Sequence, residues 1–90
     1  MQNWYEKNIE PEVRSIVKLL RDNGVNTECS CGHKMYVQCQ YRHEGFLKEV
    51  DYLLCHAGYR NYEITAYIIR EQGHIRHFIN IQLRENNAKD

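Results

Sequence analysis

The residues best equipped for chemistry cluster at Cys29-Ser30-Cys31-Gly32-His33, with Cys39 six positions on and Cys55-His56 further along. Thiolate and imidazole are preferred zinc ligands, and the same groups can supply a nucleophile and a base. The spacing suits neither role well. Structural zinc sites pair their cysteines as Cys-x₂₋₄-Cys, whereas Cys-x-Cys-x-His leaves a single residue between ligands and brings no second pair. In an extended strand Cys29, Cys31 and His33 point the same way about 7 Å apart in succession, so a turn at Gly32 would have to fold them together. Alternation also turns Ser30 away from its neighbours. The chain has no Gly-x-Ser-x-Gly elbow, paired carboxylates or phosphate-binding glycine loop, and His74 and His77 do not form separated His-x-Thr/Ser pairs. The expectation is a non-enzymatic chain without a cofactor. Zinc on Cys29, Cys31 and His33 is the alternative, and a small hydrolase using His33 a more distant one. Cys39 and Cys55 read as small buried hydrophobes.

Helices and strands must position these groups. Val13, Ile16, Val17 and Leu20 recur at i, i+3, i+4, i+7, which predicts a helix from Pro11 to the Asn23-Gly24 pair. A second helix is expected from about His43 to Ala57, with Phe46, Leu47, Val50, Leu53, Leu54 and Ala57 as its apolar stripe and Gly58 as its stop. Sliding the chain by 34 residues aligns Val13 with Leu47, Ile16 with Val50, Gly24 with Gly58 and Val25 with Tyr59. Lys34 to Tyr41 alternates as a half-buried strand, with Thr27 to Cys31 as its hairpin partner. Asn61 to Arg70 and Ile75 to Arg84 form a second hairpin, turned around Glu71-Gln72-Gly73.

The order helix, hairpin, helix, hairpin implies an α+β two-layer sandwich: an αββαββ pseudo-repeat with a four-stranded, mainly antiparallel sheet carrying both helices on one face, a permuted ferredoxin-like arrangement. The rival topology pairs the Lys34–Tyr41 strand in parallel with Asn61–Arg70 and leaves Thr27–Gly32 as a loop. Residues 1–90 read as one domain, with a partly docked arm over 1–10 carrying Trp4 and Tyr5, a core over 11–84 and a tail over 85–90.

Alternation assigns Met35, Val37, Cys39, Tyr41, Tyr62, Ile64, Ala66, Ile68, Ile75, His77, Ile79, Ile81 and Leu83 to the helix-covered face. The opposite face carries Tyr36, Gln38, Gln40, Glu63, Thr65, Tyr67, Ile69, His74, Arg76, Phe78, Asn80 and Gln82. Aromatics interleaved with amides can stack a planar ring and hydrogen-bond its edge. Tyr36, Gln38, Tyr67 and Phe78, with Arg76, Arg70 and His33 to meet phosphate, are therefore the candidate ligand-binding residues. The same composition also suits a subunit or partner interface.

Twelve Lys+Arg balance twelve Asp+Glu in 90 residues, which argues against a protein that grips long nucleic acid, since that affinity comes from cations neutralising phosphates. A small ligand with one to three phosphates needs only one or two cations per subunit. No run reaches the roughly 18 apolar residues of a membrane span, and MQNWYEKNIE lacks an export pattern, so a cytoplasmic protein with reduced thiols is expected.

Residues 11–33 resemble small proteins of bacteriophages and prophages, in which a helix leads through Gly-Val/Ile-x-Thr into a Ser-Cys-x-Gly-His element. Gly24-Val25-Asn26-Thr27 and Ser30-Cys31-Gly32-His33 carry the likeness, with the residue between Cys and Gly missing here. The resemblance implies a stoichiometric role in evading host defence. On this basis the leading expectation is a phage-type homo-oligomer that sequesters a small nucleotide-like immune signal. The alternatives are an inhibitor that binds a host protein and a zinc-stabilised interaction domain.

Overall fold

Val13, Ile16, Val17 and Leu20 bury one stripe of helix α1, Pro11–Asp22. Pro11 sits at its first turn, where a missing N–H costs nothing. Helix α2 spans Phe46–His56 and starts three residues later than the pattern suggested, because Gly45 adopts a left-handed φ of 85° ahead of it. The two helices end alike. Val25 N–H donates to Leu20 O at 2.9 Å and Tyr59 N–H to Leu54 O at 3.0 Å, each across a glycine of positive φ. The computed structural model describes residues 9–32 and 34–84; Trp4 and Tyr5 of the arm, His33 and the 85–90 tail lie outside them.

Strands β1 (Thr27–Cys31), β2 (Tyr36–Gln40), β3 (Tyr62–Glu71) and β4 (His74–Leu83) form one antiparallel sheet in the order β1-β2-β4-β3. The parallel topology is excluded, since β2 pairs antiparallel with β4 and Thr27–Cys31 is a strand rather than a loop. Strand β2 is shorter than Lys34–Tyr41 because Met35 turns to a φ of 54°. The turn between β3 and β4 is tight: Gln72 and Gly73, at φ 50° and 81°, give the paired positive angles of a two-residue hairpin loop.

The core lies between the helices and one sheet face, where Phe46, Val50 and Leu54 join the α1 stripe against Val37, Cys39, Ile79, Ile81 and Leu83. Several residues expected there lie outside it. Ala66 and His77 are exposed, and Ile68 and Ile75 are 55% and 53% exposed. The reason is length. Helices of 12 and 11 residues run roughly 18 Å, whereas ten-residue strands run roughly 33 Å. Strand β2 follows β4 only as far as Phe78, so the far half of the β3–β4 hairpin projects as an arm that no described element covers. His77 instead stacks on Tyr41, with ring centroids 3.9 Å apart, and Tyr41 meets Phe46 edge-on to close that end of the core. Leu47 and Cys55 of α2 are also exposed, each flanking the buried line of Phe46, Val50 and Leu54.

Leu54→Ala should therefore cost about 2–5 kcal/mol, the range for a buried leucine, and Leu47→Ala less than about 1 kcal/mol, as for an exposed side chain. Urea unfolding of the two variants measures the contrast, and equal losses would contradict this placement of the α2 stripe.

Candidate functional site: the open sheet face

With both helices packed on one side, the other sheet face carries no helix among the described residues, and strand register arranges it in rows. Cys31, Tyr36, Gln82 and Glu63 form one row; Cys29, Gln38, Asn80 and Thr65 the next; Gln40, Phe78 and Tyr67 a third. Arg76 and Ile69 then His74 and Glu71 continue it along the hairpin arm. The middle of the face is neutral and half-buried, and ion pairs sit towards its margins. Glu63 pairs with Arg84 at one end, and Glu28 meets Arg76 at 3.3 Å at the other.

The sequence-derived site residues separate in this framework. Tyr36, Gln38, Tyr67, Arg76 and Phe78 share the face. Phe78 is only 2% exposed, although neither described helix covers it. The Arg76 guanidinium lies 4.7 Å from its ring centroid and the Tyr67 ring packs beside it at 5.7 Å. A ligand stacking on Phe78 would have to displace Arg76 first. Arg70 pairs with Ile75 and so belongs to the helix-bearing side, away from Tyr67. His33 lies outside the described residues.

One member of the site, Glu28, has no precursor in the sequence reading, and another, Cys29, enters it as a hydrogen-bond partner of Tyr36. Glu28 reaches Arg76 from β1 because the β1–β2 register slips between Thr27 and Cys29, a bulge that no residue pattern announces. Cys29 stands 3.7 Å from the Tyr36 hydroxyl, and this hydrogen bond holds the Tyr36 phenol above its ordinary pKa. The amides are partly spent on the framework: the Gln82 side chain donates to Lys34 O and Met35 O, and Asn26 donates to Gln40.

Cysteine placement bears on the metal and nucleophile readings. Cys29 and Cys31 share the open face, Ser30 turns to the helix side opposite Val37, and among the described residues no three His, Cys, Asp or Glu side chains gather into a metal-binding group. Gly32 is buried where β1 meets the start of α1; its N–H donates to Glu10 Oε1 at 3.1 Å, and a Cβ there would run into Glu12. Cys39 is fully buried, and desolvation pushes its thiol up to about 12. Beneath β3, the Tyr62 hydroxyl donates to Asp51 Oδ1 at 2.6 Å and lies 3.4 Å from Cys55 Sγ; burial and these bonds raise its pKa. Grooves lined by described residues lie away from the centre of the face. One of 430 Å³ lies on the helix layer between Asn23, Lys48, Glu49, Tyr52 and Leu53, and others lie at the Gln82–Arg84 end and around Glu71 and Arg76. Gln38, Gln40, Thr65, Tyr67, Phe78 and Asn80 line none of them.

Because the folded state keeps Cys39 protonated while an unfolded thiol ionises near 9.0, its contribution to stability is complete below that pH and is lost as pH rises towards 12. Chemical unfolding across this window should show stability falling more steeply for the wild type than for Cys39→Ala. Thiol labelling of the native protein should modify Cys29 and Cys55 and spare Cys39, and early modification of Cys39 would contradict its burial.

No protein-family model, curated protein or solved structure matches this chain.

Proposed function

We propose that this chain is a non-enzymatic binding protein that engages a polypeptide partner through its open sheet face. One observation carries the reading: a continuous field of half-buried neutral side chains, Tyr36, Gln38, Asn80, Gln82 and Tyr67, is bounded by the ion pairs Glu63–Arg84 and Glu28–Arg76. Depletion of charge at the centre with tyrosine present and charge at the rim is the anatomy of a protein–protein interface. Small-molecule sites instead are concave and bury most of their ligand, and Tyr36, Gln38, Tyr67 and Asn80 line none of the grooves described above.

A nucleotide-like ligand is the second reading. It is supported by the Arg76 guanidinium over Phe78 with Tyr67 beside it and the amides of Gln40, Gln38 and Asn80 in the adjoining positions. It asks more of the site, since Glu28 competes for Arg76 and Arg70 faces the other way. On either reading, the likeness of residues 11–33 to phage proteins makes a host component the partner to test, with the chain acting by sequestration.

Thr65→Arg and Asn80→Arg place charge at the centre of the face without touching the core. Each should weaken retention of a partner polypeptide from host lysate by at least about tenfold, as expected of central interface positions, whereas Lys18→Ala on α1 should not. Loss with all three variants, or with none, would exclude the open face as the binding surface. Calorimetry against cyclic dinucleotides and ADP-ribose derivatives tests the second reading: binding heat that disappears in Tyr67→Ala would shift the assignment to a small ligand.

A further inference from the structure

The sheet has two edge strands, and they are built differently. Strand β1 is five residues long and bulged between Thr27 and Cys29, two of the standard devices that blunt an edge against further pairing. Strand β3 is ten residues long, keeps an uninterrupted register with β4, contains neither proline nor lysine, and carries Ile64, Ile68 and Ile69. Among the described residues no strand covers its outer side.

The hairpin geometry shows which backbone groups are on offer. Glu71 and His74 close a two-residue turn, and Arg84 N–H donates to Asn61 O at 3.0 Å at the other end of the ladder. Hydrogen-bonded pairs alternate along an antiparallel ladder, so the odd-numbered residues of β3 bond to β4. Tyr62, Ile64, Ala66, Ile68 and Arg70 therefore turn their N–H and C=O groups outwards.

We propose that the occupant of this edge is a second copy of the chain, with β3 pairing antiparallel to β3 about a two-fold axis at Ala66. A symmetric antiparallel pair must place some residue opposite its own copy, so the registers to compare differ in steps of two. Centring on Tyr67 sets Glu63 against Glu71 of the other copy and Ile64 against Arg70. Centring on Thr65 shortens the ladder and brings Arg60 against Arg70. Centring on Ala66 avoids both conflicts. It sets Ile64 opposite Ile68, Thr65 opposite Tyr67, and the small Ala66 opposite itself.

The same register covers Ile68, which is otherwise 55% exposed on the projecting arm. It also brings Arg70 opposite Tyr62, whose hydroxyl is bonded to the Asp51 carboxylate, so that a cation meets an aromatic ring and an acid. The product is an eight-stranded sheet with the four described helices on one side and both open faces on the other. This inference does not depend on what the open face binds.

Sedimentation velocity of the full chain should give twice the 10.8 kDa protomer mass at about 100 μM, since dimer population rises with concentration. Ile68→Lys, which places a charge in the pairing surface, should weaken the dimer by at least about tenfold. Ala66→Pro, which removes an outward N–H that β4 does not use, should do the same with an unchanged circular dichroism spectrum. Should the proline variant not fold, Ile68→Lys decides alone. In a chain with Cys29, Cys31 and Cys55 changed to Ser, Ala66→Cys should form an intermolecular disulfide on mild oxidation, because directly opposed hydrogen-bonded residues lie about 5.5 Å apart at Cα. A monomer at this concentration, or a dimer that Ile68→Lys leaves intact, overturns the proposal, including the case of a monomer whose edge accepts only a foreign peptide strand.

Discussion

The seating of β4 between β2 and β3 is the interaction on which the rest of the molecule depends. It is bonded to β2 over Phe78–Gln82 and to β3 along its whole length. Alternate residues of this strand go to opposite faces, Ile79, Ile81 and Leu83 into the core and Phe78, Asn80 and Gln82 onto the open side. A one-residue slip would exchange the two sets and expose the core to water. Burial of the three apolar residues therefore holds the neutral open face in place, with no separate interaction needed to build it.

Unequal lengths then divide the surface. The two described helices cover the half of the sheet where β2 runs and do not reach the far half of the β3–β4 hairpin. This produces two surfaces of different character: a polar, charge-rimmed field over the middle of the sheet, and an arm that mixes Ile68, Ile69 and Ile75 with Arg70 and Glu71 and has a regular edge to which no described strand pairs. Balanced charge fits this division. Pairs such as Lys18–Asp22 on α1, Arg84–Glu63 and Arg76–Glu28 lie at the periphery, and no charged side chain is buried among the described residues. With so little desolvated charge, electrostatics contributes little to the stability of the fold.

Most of the architecture was legible in residue spacing, because a helical stripe and a two-residue alternation are periodic signals. Val13, Ile16, Val17 and Leu20, and the Gln72-Gly73 turn, lie where those signals place them. Arg70 does not join Tyr67 on the open face, because positions 67 and 70 differ by an odd number and cannot share a face of a regular strand. Phe78 is another matter. Its face follows from alternation, but its burial comes from Arg76 lying over it and from Tyr67 on the neighbouring strand. Cys55 lies beside, not within, the line of Phe46, Val50 and Leu54, so its exposure shows how narrow the buried stripe of α2 is.

What the amino-acid sequence determined alone is the set of elements and the face to which each strand residue belongs, since local periodicity decides both. What only the tertiary structure decided is how much of each face is covered. That depends on the relative lengths of packed elements, on a bulge at Thr27–Cys29 that brings Glu28 to Arg76, and on which strand is left at an edge. The cluster at Cys29-Ser30-Cys31 shows the difference. Its composition advertised ligands and nucleophiles, but the strand sends Ser30 to one side and the two thiols to the other, where Cys29 hydrogen-bonds a tyrosine on the open face.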